Sequence, residues 1–148
     1  MEKFTDKINL ILVDDELEFL DAASTTLSRR GFEVSRAPNG VAAIDLISNR
    51  EFDVMVLDVK MPGIDGVEVF HQVTRLAPNL PVIMLTGHGT VKQAFETSRD
   101  GVFEYLTKPF DIDKLAQVAR QAVTESRRKR LNAVQQQAVQ KILEEKPD

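Results

Sequence analysis

An adjacent pair of carboxylates, Asp14-Asp15, a single carboxylate, Asp58, a hydroxyl, Thr86, and an ammonium, Lys108, stand at the ends of four short, mainly apolar runs. Any one of them alone reads as a helix cap or turn residue. Four separate run ends delivering acid, acid, hydroxyl and base exceed what capping explains. Brought together, three carboxylates repel one another and need cations to stay ionised. Lys108 supplies one positive charge. The other is most simply a divalent metal, and an oxygen-only donor set without His or Cys favours Mg²⁺ over Zn²⁺. A phosphoryl group then becomes the natural substrate, because its oxygens can bind the metal, the Lys108 ammonium and the Thr86 hydroxyl. A carboxylate can attack phosphorus to give an aspartyl phosphate. Asp58 is the expected nucleophile, since it stands alone opposite the pair, whose adjacency suits metal binding.

The elements that must position these groups follow from the spacing of apolar residues. Ile8 to Val13 is almost continuously apolar, as a strand buried on both faces should be. Leu17, Leu20, Ser24 and Leu27 then recur at helical spacing until Gly31. Phe32 to Ala37 reads as a second strand, Pro38-Asn39-Gly40 as a turn, and Val41, Ile44 and Ile47 as the inner stripe of a second helix. Residues 54–57 form a third strand ending at Asp58. In the turn that follows, from Met61 to Gly66, Gly63 and Gly66 are expected to adopt positive φ. Val69, Phe70, Val73 and Leu76 line a third helix, ended by Pro78 and Pro81. Residues 81–85 form the fourth strand, Val91, Ala94, Phe95 and Ser98 mark a fourth helix, and residues 102–106 form an edge strand. Asp111 is the expected N-cap of a last helix carrying Leu115, Val118, Ala119, Ala122 and Val123. Strict alternation of five strands and five helices predicts an α/β fold, a flavodoxin-like doubly wound parallel sheet of order 2-1-3-4-5 with its last helix extended. Ligands of such sheets bind beyond the carboxyl ends of the strands, near the switch point between strands one and three. Asp14, Asp15, Asp58, Thr86 and Lys108 are therefore expected to converge.

Composition bounds the rest. The 148 residues, 43% hydrophobic and 28% charged, suit one domain over residues 1–124 followed by a helical extension or linker over 125–148. The chain has no Cys, which excludes disulfides, thiolate metal sites and cysteine nucleophiles. No apolar run approaches the roughly 20 residues of a membrane span, and the N-terminus lacks a secretory pattern, so a cytoplasmic location is expected. A net charge of −4 argues against a surface built for nucleic-acid backbones.

Four segments carry a family resemblance: Val13-Asp14-Asp15-Glu16, Leu57-Asp58 with Val59-Lys60-Met61-Pro62-Gly63, Leu85-Thr86-Gly87, and Tyr105-Leu106-Thr107-Lys108-Pro109-Phe110. Between about Ile8 and Val123 the chain resembles the receiver domain of two-component response regulators. The resemblance implies that Asp58 accepts a phosphoryl group from a sensor histidine kinase or a phosphotransfer protein. It implies that Asp15, Asp58 and the backbone carbonyl of Lys60 coordinate Mg²⁺, with Asp14 acting largely through water, and that Lys108 binds the phosphoryl oxygens. By the same likeness Thr86 moves toward the phosphoryl group and Tyr105 turns inward. Those movements alter the face made by the fourth helix, fifth strand and last helix, which controls a partner or dimerisation. The domain assists its own phosphotransfer and autodephosphorylation but is not otherwise an enzyme.

Other readings fit less well. Haloacid-dehalogenase-like phosphatases carry Asp-x-Asp where this chain has Asp14-Asp15-Glu16, and those acids would repel a flavin phosphate. Gly87-His88-Gly89 lacks the spacing and lysine of a P-loop. His71 reads as a helix-surface residue, and His88, two residues after Thr86, reads first as loop and second as a residue near the expected pocket that influences dephosphorylation. In the tail, Leu131, Val134, Ala138 and Ile142 form a thin apolar stripe suited to a dimerising or docking helix or to a solvated extension. Arg127-Arg128-Lys129-Arg130 reads as a solvated face, and direct nucleic-acid binding is disfavoured. The Thr86-Gly87-His88-Gly89 segment and the tail resemble those of enhancer-binding ATPase activators, so the alternative to a single-domain switch is the receiver part of a longer transcription regulator. A phosphorylation-independent pseudo-receiver is the third reading, against which the intact acidic core argues.

Overall fold

A computed structural model of the chain describes residues 7–59, 66–87, 101–108 and 110–145. Five strands, β1 (Ile8–Val13), β2 (Phe32–Ala37), β3 (Val54–Asp58), β4 (Val82–Thr86) and β5 (Glu104–Thr107), form one parallel sheet of order β2-β1-β3-β4-β5. Four helices are present among the described residues: α1 (Leu17–Arg29), α2 (Gly40–Asn49), α3 (Gly66–Leu76) and the terminal α4 (Ile112–Glu144). The helix expected at Val91, Ala94, Phe95 and Ser98 lies outside the described residues, as do His88, Gly89 and Gly63.

Successive strand residues point to opposite faces, and the core divides accordingly. Leu10, Leu12, Val54, Val56, Ile83 and Leu85 pack with Leu20, Leu27, Leu115 and Ala119 of α1 and α4. Ile11, Val13, Met55, Leu57 and Met84 pack with Ala43, Val69, Phe70 and Val73 of α2 and α3. Burial on both faces explains why the central strands read as unbroken apolar runs rather than alternating ones.

Several boundaries and faces differ from expectation. Strand β4 begins at Val82, since Pro81 has no N–H to donate, although its carbonyl still accepts from Met55 N at 3.0 Å. Strand β5 covers Glu104–Thr107 rather than 102–106, because Gly101, at φ 89°, turns the chain just beforehand and Cα pairing starts at Ile83 with Glu104. Leu17, Val41 and Leu76, all assigned to inner stripes, are exposed. Each sits in the first or last turn of its helix, and in α2 the buried contact is made by Ala43 instead. Gly31 does terminate α1 with φ 95°.

Gly66 does not have a positive φ. Its requirement is space: a Cβ there would lie 2.6 Å from the Val59 carbonyl oxygen and 2.7 Å from Val59 Cα. The Gly66 N–H donates to that same carbonyl at 3.3 Å, pinning the start of α3 against the end of β3.

Asp111 caps α4 by accepting from Asp113 N at 3.1 Å. The helix then runs without a break through residues 124 and 125 to Glu144. Its departure from the sheet is marked by two contacts, Ser126 Oγ donating to the Asn79 carbonyl at 3.2 Å and Arg127 beside Asp53 at 3.7 Å. Beyond them, residues 127–145 are exposed throughout. No described helix is long and apolar enough to cross a membrane.

Candidate functional site

Three polar or charged residues are buried among the described ones, Asp14, Asp58 and Thr86, and all three lie at carboxyl ends of central strands. Burying an ionisable side chain is costly without compensation, so their concentration at one end of the sheet marks that end as functional. The geometry comes from the strand register. Strands β1 and β3 are neighbours, with Val13 beside Leu57, which sets the residues that follow, Asp14 and Asp58, side by side. Asp14 is tied to the next strand by its N–H, which donates to the Ala37 carbonyl at 3.1 Å. One carboxylate oxygen from each of Asp14, Asp15 and Asp58 lies within 4.8 Å of the others. Asp14 and Asp58 are buried and Asp15 is exposed, so the cluster is walled on the protein side and open at Asp15.

Lys108 enters from β5. Its backbone N–H donates to the Thr86 carbonyl at 2.9 Å, which holds the residue just beyond the paired ends of β4 and β5. Its Nζ lies 3.2 Å from Asp14 Oδ2, 3.5 Å from Asp58 Oδ2 and 3.5 Å from Glu16 Oε1. The ammonium lies over Phe19, with Nζ 5.5 Å from the ring centroid, and Phe110 braces Phe19 edge-on at 5.9 Å. Burial opposes the Lys108 charge, but Asp58, Asp14 and Glu16 together outweigh it and hold its pKa above the ordinary lysine value of 10.5. A raised folded-state pKa means the ammonium's stabilisation is complete below the unfolded value and is lost only as pH climbs beyond it. The urea midpoint of wild type should therefore fall more steeply than that of Lys108→Met above about pH 10.4, with parallel profiles between about pH 7 and 9.

Thr86 and Tyr105 occupy the other face. Thr86 follows the alternation of Val82 and Met84 toward the α2/α3 side, and Tyr105, half-buried, pairs beside Met84 and packs into the same cluster. The structure thus brings Asp14, Asp15, Asp58 and Lys108 into one cluster. It places Thr86 at the adjacent strand end, with Tyr105 two residues back on the neighbouring strand. Lys60 lies outside the described residues. Sequence reasoning did not single out Phe19, which reads as one more apolar residue of α1. Nor did it assign a task to Glu16, although its position directly after the acidic pair was a usable signal.

All-oxygen donors at this spacing fit a hard divalent cation, and three carboxylates around one ammonium retain a net negative charge that such a cation would offset. Fold and site together define a doubly wound α/β domain with an acidic pocket at the switch point of its sheet. The family model for the response regulator receiver domain matches residues 10–120, and the chain belongs to that family. Among its relatives, the C4-dicarboxylate transport transcriptional regulatory protein DctD of Rhizobium meliloti is 35% identical over 77% of this chain and 25% of its own length. The transcriptional regulatory protein GlrR of Escherichia coli is 33% identical over 80% of this chain and 27% of its own. The crystal structure of NtrX from Brucella abortus in complex with ADP superposes with a TM-score of 0.79 and 31% identity, covering 86% of this chain and 30% of that one. The chain thus spans about a quarter of the length of these curated relatives.

Proposed function

We propose that this receiver domain is a cytoplasmic phosphorylation switch in which Asp58 accepts a phosphoryl group from a sensor histidine kinase or a phosphotransfer protein. The observation that carries this reading is the gathering of Asp14, Asp15 and Asp58 oxygens within 4.8 Å of one another, with the Lys108 ammonium 3.2 Å from Asp14 and 3.5 Å from Asp58. Asp58 attacks phosphorus through a carboxylate oxygen, and the donor's leaving group departs on the opposite side. Asp14, Asp15, Asp58 and the Lys60 carbonyl would hold Mg²⁺, which supplies charge neutralisation for the transferring group when bound. Lys108 binds the phosphoryl oxygens, and the Thr86 hydroxyl donates to one of them. That movement of Thr86 opens space on the face it shares with Tyr105, whose ring turns inward. The surface beside β5 and α4 changes as a result. The chemistry is self-directed: the domain promotes its own phosphorylation and dephosphorylation and acts on no separate substrate. Incubation with acetyl phosphate and Mg²⁺ should add one phosphoryl group to the intact mass. EDTA should prevent it, and uptake that persists without a divalent cation would overturn the cation's part in the reading.

A second reading concerns output, and the unbroken α4 favours it. The curated relatives are transcriptional regulatory proteins about three times as long, which suits a receiver joined to an effector by this helix. Beyond Arg127 the helix exposes Leu131, Val134, Val139, Ile142 and Leu143. The occupant we assign to that stripe is a second copy of the chain, because residues 131–140 carry no charge and two copies can approach without like-charge repulsion. Light scattering should show a concentration-dependent dimer that Leu131→Asp together with Val134→Asp weakens at least tenfold. A doubly substituted protein that still dimerises equally well would move the interface off this helix.

A further inference from the structure

Glu16 is the carboxylate at the mouth of the site that the phosphotransfer reading leaves without a task. It occupies the N-cap position of α1, with φ −87° and ψ 106°, yet its side chain makes no capping hydrogen bond. Short acceptors are preferred at that position because they reach the orphan N–H groups of the first turn. Here the backbone alone is engaged: Glu16 N–H donates to Asp14 Oδ1 at 2.9 Å, and its carbonyl accepts from Leu20 N at 3.0 Å. The longer side chain instead places Oε1 3.5 Å from Lys108 Nζ, as close as Asp58 comes. A residue that forgoes a local stabilising role for a long-range contact at a functional site is the pattern expected of a functional constraint.

We infer that Glu16 is a positioning residue that holds the Lys108 ammonium at the mouth of the unphosphorylated site and competes with the phosphoryl oxygens for it. The inference rests on the reading of Asp58 as phosphoacceptor. Two of the three carboxylates around Lys108, Asp14 and Asp58, belong to the close acidic cluster and would share their charge with a cation held there. Glu16 lies outside that cluster, so its pull on Lys108 persists. With its side chain 67% exposed, the pull is weak and screened by salt. A weak, reversible restraint suits a lysine that must change partners in each cycle, and it sets how firmly the phosphorylated form is held.

The test measures phosphoryl lifetime by intact mass after removal of acetyl phosphate, with Mg²⁺ constant, in wild type, Glu16→Gln and Glu16→Ser. Both variants should retain the phosphoryl group about two- to fivefold longer, the range of an exposed ion pair, and the difference should shrink as salt rises. Glu16→Ser restores a capping side chain and should also melt higher, so folding and lifetime are read separately. Lifetimes equal to or shorter than wild type in both variants, from protein that takes up phosphoryl groups normally, would overturn the role of Glu16. Wild type that accepts no phosphoryl group would instead overturn the Asp58 reading, and the inference with it.

Discussion

Asp58→Ala is expected to take up no phosphoryl group from acetyl phosphate under conditions that modify wild type to high occupancy. The substitution removes the attacking oxygen itself, so the loss is complete rather than graded. It should not unfold the protein. Asp58 is 4% exposed beside Asp14, and alanine relieves the repulsion between two buried carboxylates while Lys108 keeps Asp14 and Glu16. The thermal midpoint of Asp58→Ala should therefore equal or exceed that of wild type. That combination separates loss of chemistry from loss of fold. Uptake by Asp58→Ala would move the acceptor elsewhere, with Asp14 and Asp15 the next groups to substitute. A lowered midpoint would mean that Asp58 contributes a structural contact outweighing the repulsion.

Gly66→Ala is expected to be a more damaging single-methyl addition than Gly87→Ala. The new Cβ would meet Val59 backbone atoms at 2.6 to 2.9 Å, and backbone cannot rotate aside as a side-chain tip can. Overpacking of this kind costs about 1–3 kcal/mol and occasionally more, which for a domain of this size lowers the melting temperature by on the order of 10 °C. The site should suffer as well, since Val59 directly follows Asp58 and its N–H donates to the Leu85 carbonyl at 3.0 Å. Gly87→Ala is the control, because among the described residues nothing lies within 4 Å of a Cβ there. If both variants melted alike, the contact between the start of α3 and the end of β3 would not be the constraint described above.

Much of this arrangement was legible in the residues because burial on both faces leaves a plain mark. Runs such as Ile8–Val13 have no polar face, so the first polar residue after each reports a strand end and, by topology, a shared rim. Asp14, Asp58 and Thr86 were visible for that reason. What was hidden depends on three-dimensional neighbours. Val41 and Leu17 have the periodicity of inner residues, but periodicity carries no information about where a helix overhangs its sheet. Gly66 was assigned to a left-handed conformation because that is glycine's commonest use, whereas the constraint comes from Val59, seven residues away. The short β5 was misplaced because its apolar lead-in, Val102 and Phe103, packs in the core without joining the Cα pairing. Glu16 could not be joined to Lys108 by spacing, since 92 positions separate them in the chain and only the sheet order unites them.

The continuity of α4 has a mechanical consequence. Residues 127–144 project about 27 Å at the rise of an α-helix, clasped at the base by Ser126 on Asn79 and Arg127 on Asp53. A rod of that length is a lever: a tilt of about 10° where it meets the sheet displaces its far end by about 5 Å, close to one helical pitch. Any tilt of α4 where it meets the sheet is thereby magnified at the tip, where a displacement of that size shifts one row of side chains past another.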